Sequence, residues 1–400
     1  MPILSFSFNE RVYGWKLNKV TFQDFNLLVG LSGVGKSNIL RSLLIIRRAG
    51  AEPAGSIYAN GCDWTVNIQI GEDLYEWSAT VSVSASTAFS IPAQNGSKDD
   101  WTYDPPLFIQ ERLFRNGLEI VSRDESGMIR YRENALPKYR GTDSIISLFS
   151  EEETVSPLYQ FLSKITFSES VNYGSAANEV FSTIELFPLP KVEEISGHFT
   201  SIEQLRELRS VPLLVKAYIL QKNFPQIDRK LKEEYCEMFG TVSEIRIGTF
   251  EEMMPRAISA NTSLNGYITL GIKEKGVDEW ILGHLISNGM LRVLIYLFEL
   301  EMLPADTVLL IDEFEDGLGV NCLSGVTDIL LRHIDKQFIL TSHHPYVINN
   351  IPWRYWKLVT RHGSEVTVKD ATSIPALNTA SSLEKFTQLL NLEEYEEAIQ

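Results

Sequence analysis

Residues 30–37 read Gly-Leu-Ser-Gly-Val-Gly-Lys-Ser and follow the pattern G-x-x-x-x-G-K-[ST]. Such a loop does phosphate chemistry. Its glycines let consecutive backbone N–H groups turn inward around a phosphate, and the helix that follows adds the positive end of its dipole. Lys36 is placed to reach the outer phosphates of a nucleoside triphosphate, and Ser37 to coordinate the accompanying Mg²⁺. The nucleotide-contacting candidates are therefore Gly30, Ser32, Gly33, Gly35, Lys36, Ser37 and Asn38. Far along the chain, Thr307-Val308-Leu309-Leu310-Ile311 runs into two carboxylates, Asp312 and Glu313. An acid at the tip of a strand beside a phosphate loop is where Mg²⁺ is held, which suits Asp312. A second carboxylate beside it can orient and polarise the attacking water, the role assigned to Glu313. After the next apolar run comes Thr341-Ser342-His343-His344-Pro345. His343 lies nearer the strand end and is the candidate for sensing the γ-phosphate, whereas His344 faces solvent or helps the turn. Ser287-Asn288-Gly289 precedes an apolar helix, with Ser287 as its N-cap and Gly289 keeping the first turn bare. Taken alone, that triplet is a weak signal, and an ordinary helix cap is its default reading.

These residues need elements to hold them. Phe25–Val29 reads as a short buried strand before the loop, and Asn38–Leu44 as the helix after it. Trp64–Ile70 and Tyr75–Val83 alternate with a two-residue period around a Gly71-Glu72-Asp73 turn. Leu107–Arg115, Gly117–Arg123 and Met128–Arg132 continue the meander, with a polar loop at Ala93–Asp104 holding an Asn95-Gly96 turn. From about Thr142 to Gly240 the pattern turns helical. Thr200-x-x-Glu203 reads as a capping box, Pro212 interrupts or restarts a helix, Pro225 begins another, and Gly240 ends it. Short strands return at Ser243–Ile247, Ala257–Ala260 and Gly266–Lys273. A helix at Met290–Glu301, a strand at Thr307–Ile311, a helix at Leu323–Ile334 and a strand at Gln337–Leu340 follow. Alternation around a phosphate loop implies an α/β fold whose sheet is mostly parallel and doubly wound there and, with the antiparallel N-terminal strands, mixed overall, interrupted by a helical insertion. The expected divisions are 1–141, an N-terminal lobe with antiparallel strands; 142–240, a helical insertion; and 241–400, a C-terminal lobe.

Composition narrows the function classes. The chain has 400 residues, 44% of them hydrophobic, enough to bury a large core. A formal net charge of −16 argues against a surface built for indiscriminate nucleic-acid binding. Arg130, Arg132, Lys138 and Arg140 cluster locally, as do Arg47 and Arg48, and solvated faces account for both. Cys62, Cys236 and Cys322 match no metal-site spacing and read as reduced thiols. No charged leader and no apolar stretch of membrane-spanning length is evident, which places the chain in the cytoplasm, away from membranes.

Together the motifs resemble the ABC-type ATPase superfamily, in its chromosome-maintenance, RecF and overcoming-lysogenization-defect branch. Ser287-Asn288-Gly289-Met290-Leu291-Arg292 is similar to that branch's S-D-G-T-L-R signature. Ile311-Asp312-Glu313-Phe314-Glu315-Asp316-Gly317-Leu318 is similar to its I-D-E-P-E-N-G-L. Gly319-Val320 stands where the family often has His-Pro, and Ser32 where it often has Asn; Gln110 is the nearest Q-loop candidate but reads as mid-strand. The resemblance implies an ATPase head that uses ATP and Mg²⁺. It also implies a homodimer or higher homo-oligomer in which Ser287 and Gly289 of one copy cap the triphosphate on the P-loop of another. The 57 residues after His343 leave no room for a Toprim nuclease domain. The chain thus looks like a stand-alone ATPase subunit of a prokaryotic defence system of the PARIS or Septu kind. Its expected partners are a separately encoded effector and a phage protein as trigger; a DNA repair clamp is the alternative. Ser381-x-x-Glu384 reads as the cap of a last helix ending in Glu393-Glu394-Tyr395-Glu396-Glu397, either a frayed tail or a docking segment for a basic partner.

Overall fold

The computed structural model describes residues 2–52, 60–83, 105–168, 187–189, 192, 197, 199–208, 211–254, 266–333, 335–378, 384–385 and 388. The Asn95-Gly96 turn, the Ala257–Ala260 strand and most of the expected last helix lie outside the described residues. The chain divides into two compact units. One comprises 1–167, 306–314 and 334–400, the other 168–305 and 315–333.

The first unit is built on one 14-stranded sheet. Its opening strands are β1 (Ile3–Glu10), β2 (Lys16–Thr21), β3 (Phe25–Val29), β4 (Asn60–Ile70) and β5 (Asp73–Val83). They are followed by β6 (Phe108–Arg115), β7 (Leu118–Arg123), β8 (Ile129–Tyr131), β9 (Asn134–Leu136) and β10 (Ile165–Phe167). The second unit contributes β11 (Phe187–Pro188), β12 (Val242–Thr249), β13 (Tyr267–Glu274) and β14 (Ile281–Leu282), which form their own small antiparallel sheet. The chain then returns to the large sheet with β15 (Val308–Ile311), β16 (Gln337–Thr341), β17 (Trp356–His362) and β18 (Glu365–Asp370). The strand order is β10-β15-β16-β3-β17-β18-β2-β1-β4-β5-β6-β7-β8-β9.

This sheet is mixed. β10, β15, β16, β3 and β17 pair in parallel. From β1 outward the pairs are antiparallel. The hairpin β17–β18 joins the two halves, since β17 pairs with β3 and β18 with β2. The mixed sheet expected from the sequence is found, with parallel pairing concentrated around the phosphate loop and the N-terminal meander antiparallel. The parallel strands are buried on both faces and read as continuous apolar runs, whereas β4 and β5 alternate buried with exposed because one face meets solvent. The helix α1 (Lys36–Ala51) packs Ile39, Leu40, Leu43 and Ile46 into a core with Trp77, Leu158 and Ile165.

A buried glutamate–arginine contact closes one end of this core. Glu111 lies 3.5 Å from Arg123 and accepts the Ile145 N–H at 3.1 Å, while Arg123 also donates to the carbonyl of Asp143 at 2.6 Å. Burial drives the Glu111 carboxyl up to about 8, against the opposing pull of Arg123.

In the second unit, α2 (Leu213–Asn223) starts after Pro212 and α3 (Pro225–Met238) carries Pro225 in its first turn, as their sequences require. The capping box expected at Thr200 is not formed. Ser201 is the N-cap of the short helix Ile202–Arg206 and makes no side-chain cap bond; Thr200 donates its N–H to Gln204 Oε1 instead. Two further helices matter for the site: α4 (Asn288–Met302) and α5 (Val320–Arg332). Among the described residues no helix is long and apolar enough to cross a membrane. None of the three cysteines is in a disulfide.

Candidate nucleotide site

The phosphate loop leaves β3 and enters α1, and its shape depends on glycine at two points. Gly33 and Gly35 have φ of 84° and 102°, in the left-handed region where a side chain is strained. A Cβ on Gly30 would stand 2.5 Å from the Val359 carbonyl oxygen of β17, so the neighbouring strand itself demands glycine. Behind Gly35 lies the buried indole of Trp15, whose Nε1 would be 2.9 Å from an added Cβ. Lys36 folds over the loop and donates to the carbonyls of Gly30 and Leu31 at 2.7 and 2.8 Å. Ser32 is exposed, and Ser37 and Asn38 are half-buried.

The acidic strand end meets this loop directly. Ser37 Oγ donates to Asp312 Oδ1 at 3.0 Å. All four residues of β15 are buried, which fixes Asp312 at the tip of a rigid strand beside β16. Thr341, at the end of β16, donates to the same Asp312 oxygen at 2.6 Å and accepts the Glu313 N–H at 2.7 Å. The next N–H, of Phe314, donates to the Thr341 carbonyl at 3.0 Å, and the Phe314 ring is fully buried. Between these anchors Glu313 takes φ 46°, a left-handed turn that costs a non-glycine residue about 1–2 kcal/mol. Its side chain is thereby turned out to solvent. Strain of this kind persists only where surrounding bonds over-determine it, as happens at functional sites.

His343 is exposed just beyond β16. His344 is half-buried and its Nδ1 accepts the Tyr346 N–H at 3.2 Å, capping the short helix Pro345–Asn350. The first unit thus brings together Gly30, Ser32, Gly33, Gly35, Lys36, Ser37, Asn38, Asp312 and Glu313, with His343 two residues past Thr341. Sequence reasoning missed Thr341, which carries no motif of its own.

Ser287 and Gly289 belong to the second unit. Ser287 is the N-cap of α4 by backbone geometry, yet its exposed hydroxyl makes no cap bond. A Cβ on Gly289 would lie 2.8 Å from the Gly317 carbonyl oxygen, so the helix start packs against the loop after the acidic strand. Arg292, 4% exposed, donates to the Asp316 carbonyl and stands 3.5 Å from the Asp316 carboxylate. Gln110, the Q-loop candidate, is in mid-strand on β6.

A phosphate loop touching an acidic strand end has the chemistry of a P-loop nucleotide site. Ser37 and Asp312 also suit Mg²⁺: their oxygens are already within hydrogen-bond distance, and this hard cation is held by one or two protein oxygens plus substrate phosphates rather than by a protein cage. Among the described residues no group of three His, Cys, Asp or Glu could hold a metal ion by itself.

Residues 25–349 match the model of the AAA_21 family, described as "AAA domain, putative AbiEii toxin, Type IV TA system". The chain belongs to this family, and its core is an ATPase domain of the AAA type. No curated protein matches the chain. Among solved structures it is similar to an SMC head bound to the C-winged helix domain of ScpA, at 14% identity, TM-score 0.48, over 94% of this chain and 100% of that one. It is also similar to a Pyrococcus furiosus Smc head with an extended coiled coil bound to the C-terminal domain of ScpA (14% identity, TM-score 0.46, 98% and 99% covered). A third similar structure is an SMC head from Thermotoga maritima (11% identity, TM-score 0.42, 92% and 99% covered).

Proposed function

We propose that this protein is a cytoplasmic, Mg²⁺-dependent, slow ATPase whose nucleotide state restrains or presents a separately encoded effector in defence against phage. The bond from Ser37 Oγ to Asp312 Oδ1, 3.0 Å long, carries the ATPase half of this reading, because it draws the phosphate loop and the acidic strand end to one point. Ser37 and Asp312 would hold Mg²⁺, which when bound offsets the charge on the outer phosphates. Lys36 would exchange two neutral carbonyl acceptors for anionic phosphate oxygens, a stronger charge-assisted bond. Glu313, turned to solvent at the strand tip, is placed to orient water and accept its proton. His343 would report the γ-phosphate. Ser287 and Gly289 of a second copy would close the site head to tail, the free Ser287 hydroxyl being available because the helix does not use it.

The description of its family as "putative AbiEii toxin, Type IV TA system" is compatible with a chain that works beside a separately encoded partner. Lys36→Ala is expected to lose nucleotide binding, and Glu313→Gln to bind ATP but stall turnover. Equal hydrolysis by wild type and Glu313→Gln would remove Glu313 from the mechanism. Co-expression with the adjacent gene and affinity purification tests the partner. Recovery of the ATPase alone, with salt-sensitive binding to duplex DNA, would favour a repair clamp instead.

A further inference from the structure

The solvent face of the antiparallel strands β1, β4, β5 and β6 holds a second polar site, away from the phosphate loop. Strand register builds it in two rungs. Ser7, Thr65, Ser78 and Arg112 lie opposite one another in order, and Asn9, Asp63, Thr80 and Gln110 form the next rung. Side chains within a rung sit about 5 Å apart. The short hydroxyl residues in the middle are flanked by Arg112 and Gln110 on one side and by Lys16, opposite Asn9, on the other. The result is an open cavity of about 500 Å³. Apolar residues on the same strands face the other way: Trp64 and Ala79 are 3% and 5% exposed, in the core.

The charge state of this cavity is the informative part. Asp63 is the one carboxylate bordering it, and that group is already engaged, by Arg11 at 2.7 Å, Thr80 at 2.7 Å and Asn9 at 3.2 Å. Lys16 is paired with Glu365 at 2.6 Å. Arg112, by contrast, is exposed and has no ion pair or side-chain hydrogen bond among the described residues. The same holds for the hydroxyls of Ser7, Thr65 and Ser78 and the amide of Gln110. On a chain with net charge −16, an unpaired guanidinium beside a row of unused hydroxyls is a local anion site. A guanidinium fork matches phosphate geometry, and hydroxyl and amide groups match sugar hydroxyls. Phe8, Leu17, Trp64 and Ala79 also border the cavity but are themselves buried, so the polar side chains are the groups it offers a ligand.

We propose that this groove binds a small sugar phosphate, with the phosphate on Arg112 and the hydroxyls along Ser78, Thr65 and Asn9. Ribose 5-phosphate is the probe, titrated calorimetrically into the full chain and into Lys36→Ala, which removes the main phosphate contact of the other site. Binding is expected in both, and Arg112→Gln should weaken it about tenfold or more, the value of one charged hydrogen bond. Ser78→Tyr, which fills the floor from a half-buried position on the solvent face, should abolish it, with thermal melts confirming that each variant is folded. The proposal is overturned by loss of binding in Lys36→Ala, by unchanged binding in Arg112→Gln, or by equal binding of neutral ribose. It is also overturned if a 20-base-pair duplex binds in an Arg112-dependent manner and ribose 5-phosphate does not, since the face would then be a nucleic-acid contact.

Discussion

Thr341 is the residue through which the two acidic positions of the strand end are held in one geometry. Its hydroxyl gives its proton to Asp312 and takes one from the Glu313 backbone. Thr341→Val keeps the shape and removes both bonds, leaving a part-buried N–H without this acceptor at a cost of about 1 kcal/mol. We expect turnover to fall by tenfold or more with a smaller change in KM, and Thr341→Ser to restore it; a kcat equal to wild type in Thr341→Val would remove this role. The sequence made the phosphate loop and the acids legible because each chemical role there admits few residue types at fixed spacing. Thr341 was not legible, since one threonine at the end of an apolar run is commonplace. Only the parallel register that sets Leu340 against Ile311 brings it to Asp312.

At the scale of elements, the loop is held from outside as much as from within. Gly30→Ala would press a methyl group to 2.5 Å from the Val359 carbonyl and force β3 and β17 apart. The expected cost is about 1–3 kcal/mol by denaturant unfolding, with nucleotide affinity reduced in parallel. The segment after Gly141 hangs on Glu111, which burial pushes up to about 8 from an ordinary 4.5 despite Arg123. A carboxyl raised in this way keeps its proton in the folded chain while the unfolded chain releases it. Stability should therefore decline as pH rises from about 4.5 towards 8, and Glu111→Gln, which still accepts from Ile145, should flatten that part of a Tm-against-pH profile. Strands of the meander were legible from their two-residue period, and helices α2 and α3 from their prolines. β10 was not: Ile165-Thr166-Phe167 is too short for any period, and its partner Val308–Leu310 is remote in sequence. The two short runs of β17 and β18 around His362-Gly363 carry a hairpin pattern, but nothing in them marks the seam of the sheet, because that position is set by pairing with β3 and β2.

For the whole molecule, the head-to-tail closure proposed above makes Ser287 a probe of assembly rather than of folding. Ser287→Arg places a long side chain at an exposed helix start, so the monomer should fold and bind nucleotide almost normally. ATP-driven cross-linking between copies and cooperative turnover should be lost; hydrolysis at the wild-type rate in this variant would exclude the signature role. A net charge of −16 adds mutual repulsion between copies, so closure should strengthen as salt rises towards physiological levels. The seam of the sheet carries one more implication, for the order in which the protein is made. β3 delivers the phosphate loop within the first 30 residues, yet the strand beside it, which supplies the Val359 carbonyl, is residues 356–362. While the ribosome is still translating, the nucleotide-binding strand waits with both edges open, and more than three hundred residues must emerge before either neighbour, β16 or β17, exists. Loop closure over that distance is slow, and an open strand edge invites mispairing in the meantime. The nucleotide site is therefore complete only once β16 and β17 have followed the loop, a built-in delay between the loop's translation and its being switched on.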